Sequence, residues 1–196
     1  MKLIKMCVLA VLVCWLIGGA ASADIVEFHL TGNGGDGLLN TNVTPPTGSV
    51  GEGGMGISGI TLDTDINILH IDIQWGTGNG YSGDLTGPVT KLHLHGPTPD
   101  GAPDSFSQTG PLMVTLSNSL SFNGSAINGG VNDDFFINTS DIAAVLDGRT
   151  YINVHTDAFE FGEIRGYLVR TVPEPGSVAT ISALLMLTGL RRRRRR

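Results

Sequence analysis

The chain of 196 residues carries 12 Lys or Arg and 18 Asp or Glu, a formal net charge of −6. The charges are unevenly spread: residues 24–172 contain four basic and 17 acidic residues, a net charge of −13. Such an acidic body repels nucleic acid and anionic phosphate groups, so a DNA-, RNA- or phosphate-binding role is excluded. Both cysteines, Cys7 and Cys14, lie in the N-terminal apolar run, so this body has neither a disulfide nor a thiol nucleophile.

The N-terminus has the three parts of a secretory signal peptide. Lys2 and Lys5 form a basic start, residues 6–17 are wholly apolar, and small residues follow that include Ala21 and Ala23. A basic region, an apolar run of about a dozen residues and an A-x-A site are typical of such signals. The run is shorter than the roughly 18–20 residues of a membrane-spanning helix, so a signal is favoured over an anchor. We therefore predict a signal peptide over 1–23, cleaved after the Ala21-Ser22-Ala23 site.

Residues 24–172 alternate polar and apolar side chains in short runs separated by Gly, Pro, Asn and Asp. Period-two alternation is typical of half-buried strands, and closely spaced turn residues favour an antiparallel arrangement. Residues 32–59 are rich in Gly and are predicted to be too polar and too flexible for the core. We predict strands over 25–30, 66–75, 89–95, 112–116, 151–155 and 164–169.

One short helix is expected within this pattern. Residues 141–147 are predicted to form one or two helical turns, with Thr139 or Ser140 as the cap and Gly148 as the C-terminal stop. The body as a whole is therefore predicted to be all-β, an antiparallel sandwich or barrel with one short helix.

Two stretches of this body resemble a known family. The first is His93-Leu94-His95-Gly96-Pro97, followed by Gly110-Pro111-Leu112. The second begins at Asp141, continues through Tyr151-Ile152-Asn153-Val154-His155-Thr156 and ends with Gly162-Glu163-Ile164-Arg165-Gly166. Together they are similar to the CHRD domain, a module of chordin and of many bacterial secreted proteins. The resemblance implies an immunoglobulin-like, Greek-key β-barrel, and it implies no activity because the family's bacterial function is largely undefined.

Three histidines occupy strand positions that suit metal binding. Residues i and i+2 of a strand share a face, so His93 and His95 project together, and His155 shares its face with Tyr151 and Asn153. In both strands the apolar residues occupy the core side, so the three imidazoles are predicted to point away from the core. If the two strands are neighbours, these side chains form a three-His site for copper or zinc.

This arrangement is locally similar to the copper ligands of copper/zinc superoxide dismutase, which also has His-x-His on one strand and another His near its C-terminal end. The disulfide of that enzyme has no counterpart here. The alternative interpretation is that the histidines donate hydrogen bonds to loop carbonyls, with Gly96-Pro97 turning the chain. His29 and His70 are predicted to be ordinary surface or rim residues.

The acidic residues suggest calcium more weakly than the histidines suggest copper or zinc. For calcium, the segment Asn132-Asp133-Asp134 lacks the regular alternation of a known calcium-binding loop. For catalysis, the sequence shows neither a sugar-binding platform nor a serine triad beside the acids. We therefore identify no catalytic residue, and the sequence favours a protein that is not an enzyme. Glu163 and Arg165 share a strand face and are predicted either to form an exposed pair, worth about 0–1 kcal/mol, or to anchor the His155 loop. The acidic clusters are Asp63/Asp65, Asp133/Asp134 and Asp157/Glu160/Glu163.

The C-terminus combines a Pro-Glu-Pro motif, an apolar run and a basic cluster. Pro173, Glu174 and Pro175 precede the apolar residues 178–190, and residues 191–196 are six consecutive Arg. Their order and spacing resemble the PEP-CTERM sorting signal. The resemblance implies that the apolar helix associates transiently with the membrane, and that an exosortase then cuts near Pro-Glu-Pro. A permanent C-terminal anchor is the alternative, because a basic cluster also stops membrane transfer.

These features predict a protein exported across the inner membrane of a Gram-negative-type bacterium, with a signal peptide over 1–23, a β domain over 24–172 and a sorting tail over 173–196. We expect it at the cell surface or in the extracellular matrix, as a non-catalytic binding or structural module with exopolysaccharide as a partner. Signal peptidase and exosortase are the expected partners during export. The alternative function is copper or zinc binding, with redox activity, by His93, His95 and His155.

Overall fold

The computed structural model describes residues 24–171. The predicted signal peptide over 1–23 and the predicted sorting tail over 173–196 lie outside the described residues. Within residues 24–171, no helix has both the length and the apolar character needed to cross a membrane.

Residues 24–171 form one antiparallel sheet of nine strands and a short α-helix. The strands follow one another across the sheet in the order β6-β5-β8-β9-β1-β3-β4-β7, and β2 pairs with both β3 and β9. This arrangement confirms the predicted all-β class with one short helix. The strands are β1 (Ile25–Thr31), β2 (Leu38–Leu39), β3 (Glu52–Asp63), β4 (Ile68–Trp75), β5 (Val89–His95), β6 (Leu112–Thr115), β7 (Gly129–Phe136), β8 (Tyr151–Thr156) and β9 (Phe159–Arg170), and the helix is α1 (Ile142–Leu146).

A single hydrophobic core holds distant parts of this sheet together. Alternation along β5 and β8 points Leu92, Leu94, Ile152 and Val154 to the same side, where all four are fully buried. They belong to one cluster with Ile71 of β4, although β4 and β5 are far apart in the strand order. The sheet therefore curls around a shared core, as the layers of a β-sandwich do.

The helix α1 agrees with the sequence prediction in its position and in its C-terminal stop. Gly148 follows the helix with a φ of +68°, a conformation that glycine adopts without a Cβ penalty. The predicted cap is wrong: the cap position is Asp141 rather than Thr139 or Ser140, and its side chain makes no capping hydrogen bond. A backbone turn leads into the helix instead, closed by the Asp141 N–H and the Asn138 carbonyl, 2.8 Å apart.

The glycine-rich residues 32–59 contribute β2 and the first part of β3 to the sheet, which corrects the prediction that the whole stretch is too flexible for the core. Leu38 in β2 is fully buried, and β3 begins at Glu52. Glycine allows neighbouring strands to approach closely here, because a Cβ on Gly53 would lie 2.6 Å from the carbonyl oxygen of Gln74. Strand alternation is hidden in this part of the sequence because glycine has no side chain to mark a face.

Strand β7 is absent from the sequence prediction and contains the acidic residues Asp133 and Asp134. Asp133 accepts a hydrogen bond from Ser119 Oγ at 2.6 Å, and Oδ1 of Asp134 lies 2.8 Å from Nδ1 of His70 on β4. The candidate calcium segment is therefore a strand rather than a loop. His70 is partly exposed, in agreement with its prediction as a rim residue.

We predict that Gly129→Ala destabilises the fold. A Cβ at Gly129 would overlap Nε1 of Trp75, a fully buried side chain whose indole N–H donates to the Ser125 carbonyl at 2.7 Å. Overpacking of this kind costs about 1–3 kcal/mol of unfolding free energy, which urea denaturation measures. Gly87→Ala is the matched control, because a Cβ there meets nothing within 4 Å, and we expect it to have little effect. Equal urea midpoints for the two variants would contradict the prediction.

Candidate metal centre

Strands β5 and β8 are neighbours, which meets the condition for a three-His site. Their antiparallel register places His93 opposite Asn153 and His95 opposite Tyr151. One ring nitrogen from each of His93, His95 and His155 lies within 4.8 Å of the other two. Across residues 24–171, this is the one group of three or more His, Cys, Asp or Glu ligand atoms found at such spacing. The fold thus brings together the three histidines that the sequence singled out.

The rings of this histidine cluster are held by packing against one another and against a tyrosine. The ring centroids of His93 and His155 are 5.0 Å apart, and those of His93 and His95 are 5.3 Å apart. His95 stacks on Tyr151, with ring centroids 5.1 Å apart and an interplanar angle of 7°. Because Tyr151 is itself buried, this stacking fixes the orientation of the His95 ring.

Two of the imidazoles are hydrogen-bonded through one nitrogen and leave the other as an acceptor. His155 Nδ1 lies 2.8 Å from the Glu160 carbonyl oxygen, and His95 Nδ1 lies 3.2 Å from that of Gly110. A carbonyl oxygen only accepts, so each Nδ1 carries the proton and each Nε2 keeps its lone pair. The Nε2 of His95 is buried without a partner, and that of His155 lies 3.3 Å from the Asn153 amide nitrogen. The loop-carbonyl bonds of the alternative interpretation are thus present, and they orient the rings as in metal sites.

Burial favours the neutral form of all three histidines. Loss of solvent lowers the pKa of His155 from 6.5 to about 4, against the opposing effect of its hydrogen bond to Glu160. Burial is also the largest cause that lowers the pKa of His95 and of His93, and the positive charge of Lys91 adds to it in His93. At neutral pH the three rings are therefore uncharged, and each offers a lone pair without first losing a proton.

The sheet face that carries the histidines is covered by other parts of the chain. His155 is 7% exposed, and Tyr151 and Asn153 are each 2% exposed. Residues 43–47 and the β8–β9 hairpin enclose a cavity of about 810 Å³ that His95 and His155 line. The imidazoles do point away from the core, as predicted, but alternation along a strand identifies only the face and not what covers it.

Glu163 is fully buried, which corrects its prediction as half of an exposed pair with Arg165. Its carboxylate accepts hydrogen bonds from the hydroxyl of Ser49, from the N–H and hydroxyl of Thr86, and from Thr156 Oγ1 at 2.6 Å. These bonds hold two loops beside β9. No local sequence signal predicts them, because Ser49 and Thr86 are 114 and 77 residues away from Glu163 along the chain.

Arg165 is also buried and lines the cavity, so the second half of the predicted surface pair is wrong too. Its guanidinium carbon lies 4.2 Å from the centroid of the Tyr151 ring, and Nη1 donates to the Gln108 carbonyl at 3.4 Å. Within residues 24–171, Arg165 forms no salt bridge with Glu163 or any other acid. The covering segments exclude water from both side chains, which strand alternation cannot show.

The metal-free protein is predicted to lose stability as the pH falls from about 6.5 to about 4. Unfolded His155 takes up a proton near pH 6.5, whereas folded His155 stays neutral down to about pH 4. The unfolded chain therefore binds more protons within this window, and protonation favours unfolding. At 1.36 kcal/mol per pKa unit the loss reaches about 3 kcal/mol, measurable by urea unfolding in EDTA at several pH values.

Two single variants serve as the test and the control for this pH dependence. His155→Gln removes the ring with the largest pKa shift of the cluster and should reduce the loss between pH 6.5 and pH 4. His29→Gln changes a histidine on β1, opposite Val169 and outside the cluster, and should keep the wild-type dependence. A wild-type slope in His155→Gln would contradict the prediction.

Comparison with known proteins shows the family of this chain. The profile of the CHRD domain matches residues 37–168, more than half of the 196 residues. The matched range includes all three histidines of the cluster, together with Glu163 and Arg165. No curated protein and no solved structure matches the chain. From the profile match, the chain belongs to the CHRD domain family.

Proposed function

We propose that the CHRD domain of this chain binds a transition-metal ion, copper or zinc, through His93, His95 and His155. The observation that carries the proposal is the spacing of the three ring nitrogens, all within 4.8 Å of one another. Imidazole suits both ions, and zinc–nitrogen bonds of about 2.0–2.1 Å hold tetrahedral ligands about 3.3 Å apart. Binding therefore requires side-chain movements on the order of 1 Å.

The surroundings of the histidine cluster support this proposal. Hydrogen bonds from Nδ1 to the Glu160 and Gly110 carbonyls orient His155 and His95, and burial keeps the rings neutral. Three protein ligands leave a coordination position for water or another ligand, and the adjoining cavity gives access to such a group. Copper in this position can exchange electrons, whereas zinc has no redox chemistry.

The full chain, purified without a histidine tag, is predicted to carry close to one copper or zinc ion per molecule by elemental analysis. The variant His93→Ala/His95→Ala/His155→Ala removes all three ligands and should retain less than a tenth of that metal. His29→Ala is the matched control, because it removes a histidine outside the cluster and should leave the metal content unchanged. Circular dichroism confirms that each variant is folded.

Two results would contradict the metal site. One is a folded wild-type protein that contains neither ion and takes up neither from solution when the metals are added. The other is a folded triple variant with the metal content of the wild type.

We further propose that the chain is exported and acts at the cell surface or in the extracellular matrix. The signal-like residues 1–23 and the PEP-CTERM-like residues 173–196 support this location, with signal peptidase and exosortase as the processing partners and 24–172 as the mature β domain. There we infer a binding rather than a catalytic role, with exopolysaccharide as the partner that the sorting tail suggests. The acidic body would bring bound divalent cations to such a polymer.

Replacement of the Pro-Glu-Pro motif is predicted to leave the protein in the membrane. The variant Pro173→Ala/Glu174→Ala/Pro175→Ala should accumulate as an unprocessed precursor in the membrane fraction, detected by its larger mass. Ser177→Ala, close to the motif but outside it, should be processed like the wild type. Normal processing of the triple variant would contradict the proposed role of the tail.

A further inference from the structure

Arg165 is a buried cation without a carboxylate partner. It is 3% exposed, and no Asp or Glu oxygen of residues 24–171 lies within 4.0 Å of its side-chain nitrogens. Residues 24–172 contain 17 acids and four bases, so partners are abundant, yet the fold brings none to this position. Removal of a charge from water without a partner is costly, so buried charges are normally paired.

The contacts of Arg165 are with a backbone carbonyl and with the side chains of Tyr151 and Tyr167, and they include no carboxylate. Nη1 donates to the Gln108 carbonyl at 3.4 Å, which is long for a hydrogen bond, and Nε is buried with no partner. The ring of Tyr151, 4.2 Å from Cζ, stabilises the cation but supplies no acceptor. A guanidinium has five N–H donors in a planar fork that matches the two oxygens of a carboxylate.

The cavity beside Arg165 has the size and lining of a small-molecule site. Its volume of about 810 Å³ falls within the range of such sites, roughly 300–1,000 Å³. Asn153, opposite Arg165 in the β8–β9 register, adds a second polar group to the lining. Much of the remaining lining is apolar and includes Val43, Pro45 and Phe161. One fixed cation in such a lining selects a molecule with an anionic end and an apolar body.

Two acids of the cavity lining do not neutralise this cation. Asp157 and Glu160 are exposed, and neither carboxylate comes within salt-bridge distance of Arg165. Water solvates these two carboxylates where they are, so a pairing with Arg165 would require their burial. They leave the guanidinium available and give the cavity a negatively charged rim.

We propose that the cavity binds a small organic carboxylate, whose carboxylate group pairs with the guanidinium of Arg165 and whose apolar body contacts the apolar lining. Such a ligand supplies the acceptor that the buried cation lacks, in the bidentate geometry that makes these pairs strong. The site adjoins the histidine cluster, but it depends on Arg165 and on the cavity, so it holds for the metal-free protein as well.

Calorimetric titration of the metal-free full chain with three probes tests this proposal. Benzoate has a carboxylate and an apolar ring, benzyl alcohol has the ring without the charge, and acetate has the charge without the ring. We expect benzoate to bind at least tenfold more tightly than either of the other two. Benzoate that binds no more tightly than benzyl alcohol would overturn the proposal.

Two charge-removing variants test the role of Arg165. Arg165→Met removes the charge at similar length and should weaken benzoate binding at least tenfold, without weakening benzyl alcohol. Arg170→Met is the matched control, because Arg170 is exposed on the same strand and does not line the cavity; it should keep benzoate affinity within twofold. A folded Arg165→Met with wild-type benzoate affinity would overturn the proposal. If this variant does not fold, the three-probe comparison on the wild type still decides.

Discussion

Strand β8 is buried along its whole length, and the rest of the site depends on this constraint. Its edges pair with β5 and β9, its inner face packs on the core, and residues 43–47 line the cavity over its outer face. All six residues, Tyr151–Thr156, are buried. Apolar packing is sufficient for the inner face. On the outer face, Asn153 and His155 must find partners within the protein, because an unpaired buried polar group is costly.

The fold supplies hydrogen-bond partners for only some of the polar groups on this face. Backbone carbonyls of the covering segments accept one hydrogen bond each from His155, His95 and Arg165. The Nε2 of His95 and the Nε of Arg165 are buried without a hydrogen-bond partner. Neutral imidazole nitrogens and a buried cation therefore lie on the same covered face. Glu163, two residues from Arg165 on β9, is by contrast fully satisfied by hydroxyl and N–H donors.

Much of the local structure follows from the sequence by itself. Alternation identified six of the strands and the shared face of His93 and His95, and helix-end signals identified the short helix with its stop at Gly148. These features depend on neighbours two to four residues apart, so each short stretch contains its own signal. The motifs around His155 also indicated the CHRD family, and membership of that family implies a fold but no activity. Where glycine replaces side chains, as at the start of β3, the same signal is missing.

Only the tertiary structure decided which strands are neighbours and what covers them. The β5–β8 pairing brings His155 to the other two histidines, and segments distant in sequence bury this face. The contacts of the Glu163 carboxylate join residues up to 114 positions apart, and the bond from Arg165 to Gln108 joins residues 57 apart. Strand periodicity contains no information at such separations. The sequence by itself therefore determined the strand faces and the family. The neutral imidazoles and the unpaired cation result from burial away from water, which only the assembled fold produces.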